Sequence, residues 1–365
     1  MRVLIVSNSI NGIYNFREEL VDSLLLEGYE VLIAAPEDEK TSYFEDKGCK
    51  CLITPINRRG TNPFTDFKLL LRYFRMIKKH KPNVILTYTI KPNVYGGLAS
   101  RLCKVPYITN VTGLGTSIES GKLIRKLSLF LYKIGLKGAN YVFFQNKSNM
   151  NYFVNKKIVD KKYGLLPGSG VNLMKHSFKS YPNHTSSIRF VFIGRVMKAK
   201  GVNELLEAMK IIKVNYPNVC LDIIGGKEEN FNYLLDDLEE RGIINYHGRQ
   251  EDVRPYIKRS HALINPSYHE GMSNVLLEAA SAGRPILASD VPGCKEALDQ
   301  GVSGFTFEVK NVNSLVGSLT KFIELSFEEK KTMGVKARHK MEEEFDRNLI
   351  VNAYLKEINK AVNTV

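Results

Sequence analysis

The sequence predicts an α/β protein of two doubly wound, Rossmann-like domains with a ligand cleft between them. Its 365 residues are too many for one ordinary hydrophobic core. Short apolar runs alternate with helical patterns, and this alternation restarts after residue 187. Such alternation is typical of mostly parallel sheets covered on both faces. Ligands of these sheets bind beyond the carboxyl ends of the strands, so we expect the site in the interdomain cleft.

The first domain is expected to span residues 1–180. Helices are expected where apolar residues recur at helical spacing, and strands where short apolar runs stop at polar residues or Pro. Strands are predicted at 3–7, 31–35, 50–53, 84–88, 107–111 and 141–145, a polar turn at 8–12, and helices at 16–27, 67–80, 94–102 and 124–137.

The second domain is expected to span residues 181–345, after a polar linker at 180–187 that contains Pro182. Strands are predicted at 190–193, 220–224, 244–247, 262–265 and 285–288, with helices at 202–215, 231–241, 253–259 and 274–281 and a largely helical remainder.

Charge is divided unevenly along the chain. Residues 1–50 carry a net charge of −5, residues 51–180 carry +20 from 23 Lys/Arg and 3 Asp/Glu, and residues 181–365 carry −1. A basic surface of this kind attracts nucleic acid, anionic lipid or a phosphorylated substrate. No apolar run approaches the ~20 residues that span a bilayer, so we expect a cytoplasmic protein. The odd, scattered cysteines predict reduced thiols and no zinc site.

Two glutamates mark a strand-to-helix turn in the second domain. Strand 262–265 stops at Pro266, and the segment through Asn274 carries Glu270 before a helix on which Glu278 lies one turn further. Ser273 or Asn274 is a suitable N-cap. The amides at the helix start suit an anion or sugar hydroxyls. We therefore predict that donor-binding groups come from this segment, namely Glu270, Gly271, Met272, Ser273, Asn274, Val275 and Glu278.

Two cations follow the first strand of the same domain. Arg195 and Lys200 lie beyond strand 190–193 and before the next helix, in a turn opened by Gly194. Cations at this position can neutralise a departing diphosphate, and Arg can bind it with two hydrogen bonds.

With these residues in place, the chain resembles the GT-B-fold retaining glycosyltransferases of family 4. Glu270 and Glu278 match the family's E-x7-E signature, and Arg195 and Lys200 match its diphosphate-binding pair. The resemblance implies that Glu278 binds the donor ribose and Glu270 the donor sugar, with Arg195, Lys200 and Glu270 as the catalytic set. It also implies that Gly12 approaches the donor phosphate through its amide, and that a last helix at 346–365 crosses back to the first domain.

Several first-domain stretches resemble the subgroup that builds capsular and lipid-linked polysaccharides: 14–17, 59–63, 88–96 and 110–115. Acceptors of that subgroup are polyprenyl-diphosphate-linked sugars at the inner membrane face, which agrees with the basic charge of residues 51–180. The resemblance implies a UDP-sugar donor, a transferred hexose or N-acetylhexosamine, and acceptor-binding residues among Arg17, Arg59, Lys91, Asn110, Thr112 and Glu119.

The helix predicted near 122–137 is amphipathic and basic. At ~100° per residue its lysines fall within about 60° of one another, opposite a face of Leu, Phe and Ile. This arrangement suits anionic headgroups at the inner membrane surface, although a solvated face of a domain helix has the same pattern. The basic residues are Lys122, Arg125, Lys126, Lys133 and Lys137.

The sequence leaves the catalytic base unassigned. Many family members have a first-domain His that faces the anomeric carbon, but no His lies between His80 and His176 here. Glu119 is the one acidic residue between Asp66 and Asp160 and is a candidate. In a same-face reaction the leaving phosphate accepts the proton, so neither a metal nor another cofactor is expected.

Two alternatives stay open at this point. One is a UDP-sugar 2-epimerase on the same fold, which would release N-acetylmannosamine from UDP-N-acetylglucosamine without an acceptor. The other is a nucleic-acid-binding protein, suggested by the +20 segment but lacking a recognised module. A nicotinamide-dependent enzyme is disfavoured because no G-x-G-x-x-G follows the first strand.

Overall fold

Two compact α/β units make up the chain. The computed structural model describes residues 1–57, 60, 62–113, 122–159, 162–183 and 187–363, with backbone alone for 122–124. Unit 1 comprises Met1–Ser169 and Arg347–Val365, and unit 2 comprises Gly170–Asp346. Each contains a sheet of parallel strands joined by helical crossovers, which confirms the predicted fold class.

Unit 1 contains a seven-stranded sheet in the order β3-β2-β1-β4-β5-β6-β7. Alternate residues of β1 face opposite cores: Val3 and Ile5 pack in one hydrophobic cluster, Leu4 and Val6 in another. Its strands are β1 Arg2–Val6, β2 Glu30–Ala35, β3 Lys50–Ile53, β4 Val84–Tyr88, β5 Tyr107–Val111, β6 Tyr141–Phe144 and β7 Tyr163–Leu165. Its first helices are α1 Ile10–Leu26, α2 Thr41–Asp46, α3 Pro63–His80, a π-helical turn Pro92–Gly96, α4 Gly97–Leu102, α5 Lys122–Leu136 and α6 Lys147–Asn155.

Unit 2 contains a six-stranded sheet in the order β10-β9-β8-β11-β12-β13. Its strands are β8 Ile188–Ile193, β9 Val219–Ile224, β10 Ile244–Tyr246, β11 Ala262–Asn265, β12 Ile286–Ser289 and β13 Gly304–Phe307. Its helices are α7 Val202–Asn215, α8 Asn232–Glu240, α9 Arg254–Arg259, α10 Asn274–Ser281, α11 Val312–Glu324 and α12 Phe327–Glu344.

The last helix, α13 Arg347–Asn363, belongs to unit 1. It packs against α1, where Arg347 pairs with Glu19 at 2.9 Å. Ile350, Tyr354 and Ile358 join the same buried cluster as Val3 and Ile5. The carboxyl-terminal segment therefore completes the first unit's core.

Three details of the sequence prediction were wrong. The expected turn at 8–12 is helical from Ile10, because Ser9 caps α1 by accepting a hydrogen bond from the Gly12 amide at 3.1 Å. Residues 170–180 belong to unit 2, not to the first domain. They are held there partly by Arg284, which is fully buried and donates to the carbonyls of Lys179 and Ser180 at 3.1 and 2.9 Å.

The third error was the omission of four elements, the strands β7 and β13 and the helices α2 and α6. β7 has three residues, too few to show a periodicity. β13 begins at Gly304, where a Cβ would lie 1.9 Å from the Ile286 carbonyl oxygen, so glycine permits close strand approach. Across the described residues, no helix is both long and apolar enough to cross a membrane.

Candidate functional site

The strand order of unit 2 reverses between β8 and β11, the position where doubly wound sheets bind ligands. The loop after β8 carries Arg195 and Lys200, and the loop after β11 carries Glu270. A glycine lets the two loops meet: Gly201 has φ +69°, and a Cβ there would lie 2.1 Å from the Pro266 carbonyl oxygen. The Tyr268 amide also donates to the Ala199 carbonyl at 3.0 Å.

Lys200 and Glu270 form an ion pair across the two loops. Lys200 ends a short 3₁₀ turn, Lys198–Lys200, and both paired side chains are about four-fifths buried (21% and 16% exposed). A buried pair of this kind can exchange its internal hydrogen bond for one to an anion and one to hydroxyl groups. The structure therefore brings together a cation and a carboxylate predicted separately.

Arg195 has a carboxylate partner that the sequence prediction missed. Its Nη1 lies 2.9 and 3.1 Å from the two carboxylate oxygens of Glu228, in the loop between β9 and α8. Arg195 is half exposed, whereas Glu228 is one-third exposed. A diphosphate at Arg195 would therefore compete with Glu228. Their separation in sequence and the irregular loop around Glu228 explain why no periodic signal revealed the contact.

The start of α10 is fixed by contacts beyond its own helix. Ser273 occupies the N-cap position, as predicted, but its hydroxyl accepts from Asn265 Nδ2 at 2.6 Å instead of capping an amide. Its amide donates to the Gly293 carbonyl at 2.8 Å, and Met272 is buried in the core. The predicted set of ligand-facing amides from Gly271 to Val275 is therefore wrong for Ser273, whose amide is engaged by protein.

Glu278 lies one turn after Asn274 on α10, with a side chain that is 21% exposed. Its Oε1 is 4.0 Å from Nε2 of His176, which comes from the segment preceding the linker. Asn274 Oδ1 is buried with no hydrogen-bond partner among the described residues. His176 is a neighbour of Glu278 that the sequence prediction missed, because its isolated position in an irregular segment has no pattern.

In unit 1, the described residues predicted to bind donor or acceptor are mostly buried or already paired with other protein groups. Gly12 lies in the first turn of α1, so the amide predicted to bind phosphate already donates to Ser9 Oγ. Arg17 is 5% exposed, and its guanidinium lies 4.9 Å from the Tyr88 ring centre. Lys91 pairs with Asp66 at 2.5 Å, and the Tyr95 hydroxyl donates to the same carboxylate at 2.8 Å.

Asn110 is the second-last residue of β5 and is buried, with its Nδ2 donating to the Tyr354 hydroxyl at 2.8 Å. Thr112 follows this strand and is partly buried. Arg59 and Glu119 lie outside the described residues. Across the described residues, no cluster of three His, Cys, Asp or Glu side chains is arranged to hold a metal.

Helix α5 keeps part of its apolar face uncovered. Leu127 is 54% exposed and Phe130 is 60% exposed, although Tyr132 and Leu136 are buried in unit 1. The predicted cations Arg125, Lys126, Lys133 and Lys137 are exposed, while the Lys122 side chain lies outside the described part.

Comparison with known proteins extends over both units. Residues 2–146 match the family model described as glycosyl transferase 4-like, and residues 174–340 match the model of glycosyl transferases group 1. A similar fold occurs in a glycosyltransferase from Rickettsia africae, with a TM-score of 0.80, 17% identity and coverage of 100% of this chain and 99% of the other. A second is the Anabaena protein HepE, crystallised with UDP and glucose, at a TM-score of 0.78 and 15% identity, covering 99% and 100%.

Two relatives share sequence along most of the chain. An N,N'-diacetylbacillosaminyl-diphospho-undecaprenol α-1,3-N-acetylgalactosaminyltransferase of Campylobacter jejuni is 28% identical, and the similarity covers all of both chains. A UDP-Gal:α-D-GlcNAc-diphosphoundecaprenol α-1,3-galactosyltransferase of Escherichia coli is 24% identical, covering 86% of this chain and 84% of that one.

Proposed function

The chain belongs to the glycosyltransferases built on the GT-B fold, and we propose that it is a retaining family 4 enzyme with a lipid-linked acceptor. It transfers a hexose or N-acetylhexosamine from a UDP-sugar to a polyprenyl-diphosphate-linked saccharide. The meeting of Lys200 and Glu270 at the strand reversal of unit 2 carries the proposal. The names of the Campylobacter and Escherichia relatives support the acceptor class.

In this proposal, the donor occupies the carboxyl ends of β8 and β11. Arg195 and Lys200 bind the diphosphate, Glu270 accepts hydrogen bonds from the donor sugar, and Glu278 accepts from the ribose hydroxyls. The amides of Asn274 and Val275, in the first turn of α10, face no intrahelical acceptor and suit the anionic end of the donor. The amides of Gly12 and Ser273 already donate to Ser9 Oγ and to the Gly293 carbonyl, so these two residues contribute backbone shape to the donor site. Gly271 and Met272 keep their proposed place in the donor-binding turn.

The reaction breaks the bond between the anomeric carbon and the phosphate oxygen and forms a bond from the acceptor hydroxyl oxygen on the same face. The acceptor's proton passes to the departing phosphate, so no side chain needs to act as the base. Charge grows on the diphosphate in the transition state, where Lys200 and Arg195 stabilise it. A single positioned donor of this type contributes about 10²–10³ in kcat. With two cations available, the proposed reaction uses neither a metal nor a cofactor.

The part of the proposal that concerns the acceptor depends on the basic segment of residues 51–180 and on α5. The exposed Leu127 and Phe130 lie on a helix whose exposed charged residues are all basic, a combination suited to an anionic bilayer surface. We propose that α5 holds the enzyme on the inner face of the cell membrane, where the acceptor lipid is anchored. Nucleic acid is not a proposed partner, because it would leave the Lys200–Glu270 site without a role.

The ribose assignment of Glu278 provides a direct test. Titration of UDP and 2′-deoxy-UDP into the protein should give tighter binding of UDP, because a carboxylate hydrogen bond contributes about 1.5–3 kcal/mol, or roughly tenfold to a hundredfold. Glu278→Gln should reduce that preference to within about threefold. Glu207→Gln, on the exposed surface of α7, is the matched control and should retain the preference.

A folded Glu278→Gln protein with the full UDP preference would refute the ribose assignment. Release of N-acetylmannosamine from UDP-N-acetylglucosamine alone would instead favour the 2-epimerase.

A further inference from the structure

The outer side of helix α3 combines exposed phenylalanines with exposed cations. Phe64 is 81% exposed and Phe67 is 58% exposed, and both lie in the first two turns of the helix. At ~100° per residue they fall within about 140° of every exposed charged residue of α3. We call this set the α3 face, and its members are Phe64, Phe67, Lys68, Arg72, Arg75, Lys78 and Lys79.

The inner side of α3 belongs to the core of unit 1, which fixes the residues that point outward. Three side chains of α3 are buried in one hydrophobic cluster with side chains of β1: Leu69, Tyr73 and Ile77. The start of the helix is also fixed, because Asn62 Oδ1 accepts hydrogen bonds from the amides of Phe64 and Thr65 at 2.9 and 3.4 Å. The exposure of the two phenylalanines therefore follows from a well-anchored helix.

The positive charge of the α3 face has no counter-charge nearby. Residues 51–180 contain 3 Asp/Glu, and Asp66 is the one of these that the structure describes. It is 9% exposed and already binds Lys91 and the Tyr95 hydroxyl. Among the described residues, no carboxylate forms an ion pair with any of the five cations of the α3 face. Such a surface attracts an anionic partner.

Helix α3 lies in the same layer as α5. It packs against α4, which packs against α5, and Arg101 of α4 donates to two carbonyls at the end of α5 at 3.1 Å. The layer covers the sheet face opposite α13. Both helices follow parallel strands, so both begin at the carboxyl edge of the sheet. The exposed pair Phe64 and Phe67 and the exposed pair Leu127 and Phe130 thus share one side of unit 1.

The combination of side chains indicates the kind of partner. Nucleic acid would neutralise the cations but would leave most of the apolar surface in water. An anionic bilayer accepts both groups, because headgroup phosphates pair with Lys and Arg while aromatic rings enter the interface between headgroups and acyl chains. Two apolar patches on one helix layer also suit a broad, flat partner.

We propose that the α3 face is a second membrane-binding surface, which acts with α5 to place unit 1 on anionic lipid in one orientation. A unit held by α5 alone is free to rotate about that helix, and a second contact on the same layer removes this freedom. The inference rests on the proposed function for the role of α5. Binding of the α3 face to lipid requires neither donor nor acceptor.

Sedimentation with vesicles of phosphatidylglycerol and phosphatidylcholine tests the proposal. The double variant Phe64→Ser with Phe67→Ser should bind at least tenfold less than the wild type, because both rings lose their place in the interface. The double variant Lys78→Gln with Lys79→Gln should bind at least fivefold less. Vesicles of phosphatidylcholine alone should bind the wild type and the lysine variant equally weakly, since they lack net charge.

Matched controls lie in unit 2. Ile211 and Val214 of α7 are exposed and have the same spacing as the two phenylalanines, so Ile211→Ser with Val214→Ser should bind within twofold of the wild type. Lys321→Gln with Lys336→Gln removes two exposed lysines from α11 and α12 and should also have no effect.

A thermal melt separates lipid binding from folding. All four double variants should melt within about 2 °C of the wild type, because substitutions of exposed side chains change stability little. If the double phenylalanine variant does not fold, Phe64→Ser alone should still reduce vesicle binding at least threefold.

Folded phenylalanine variants with wild-type vesicle binding, or an equal loss in the α7 control, would overturn the proposal. A wild-type dimer that Phe64→Ser with Phe67→Ser converts to monomers in sedimentation velocity would assign the face to self-association instead. Binding of a DNA or RNA oligonucleotide that depends on the lysines, without vesicle binding, would assign it to nucleic acid. Vesicle sedimentation uses no UDP-sugar, so failure of the proposed transfer reaction is recognised separately.

Discussion

Gly201→Ala is the sharpest single perturbation of the unit 2 site. The residue has φ +69°, and its new Cβ would lie 2.1 Å from the Pro266 carbonyl oxygen and 2.8 Å from the Pro266 carbonyl carbon. The left-handed conformation alone costs an L-residue about 1–2 kcal/mol. The backbone contact adds a displacement of the loop, with a cost of about 1–3 kcal/mol by analogy with overpacking. The total is about 2–5 kcal/mol.

For a unit of this size, each kcal/mol lowers Tm by about 2–4 °C, so Gly201→Ala should lower the melting transition of unit 2 by roughly 4–20 °C. Displacement of the neighbouring Lys200 should also weaken UDP-sugar binding about tenfold or more. Differential scanning calorimetry measures the change in Tm, and isothermal titration calorimetry measures the affinity for the UDP-sugar. Gly226→Ala is the matched control, because a Cβ there meets nothing within 4 Å. Equal stability and equal affinity in the two variants would refute the reasoning.

Two further predictions concern pH and membranes. Burial lowers the pKa of His261 from 6.5 to about 4, so between these pH values the unfolded chain binds a proton that the folded chain does not. The free energy of unfolding should therefore fall by about 3 kcal/mol as pH drops from 6.5 to 4. Urea unfolding of His261→Gln should show a weaker dependence of stability on pH, and an unchanged dependence would contradict this. A double variant with Ser at both Leu127 and Phe130 should sediment with anionic vesicles at least tenfold less than the wild type. Leu26→Ser, the same kind of change at the exposed end of α1, should leave sedimentation unchanged. Equal effects in the two variants would show that α5 does not contact the membrane.

Sequence reasoning located the elements well where the apolar pattern is strong. β11 and α10 begin and end where the sequence predicted, because a buried strand and a helix with a clear start and stop leave little choice of boundaries. The start of α1 was missed because Asn11 and Gly12 read as a turn, while the capping contact from Ser9 decides in favour of a helix. The hydrogen bond from the Gly12 amide to Ser9 Oγ thus outweighs the preference of Asn11-Gly12 for a turn.

The partners of the predicted side chains were harder to predict. Glu228 at Arg195, Asp66 at Lys91 and His176 near Glu278 all come from distant parts of the chain. Spacing along one element indicates residues that share a face, but it does not indicate which loops meet at a sheet edge. The strained backbone of Thr89, with φ +71°, is equally invisible in the sequence, because its conformation is imposed by the surrounding fold.

The proposed reaction is transfer from a UDP-sugar to a lipid-linked saccharide with retention at the anomeric carbon. The most direct measurement is to incubate the protein with UDP-N-acetylgalactosamine or UDP-galactose and a polyprenyl-diphosphate-linked saccharide, then to determine the mass and anomeric configuration of the product by mass spectrometry and NMR. We expect a lipid one sugar longer with an α linkage, and a loss of at least a hundredfold in kcat for Lys200→Ala. A β-linked product, or full activity in Lys200→Ala, would contradict the proposed reaction.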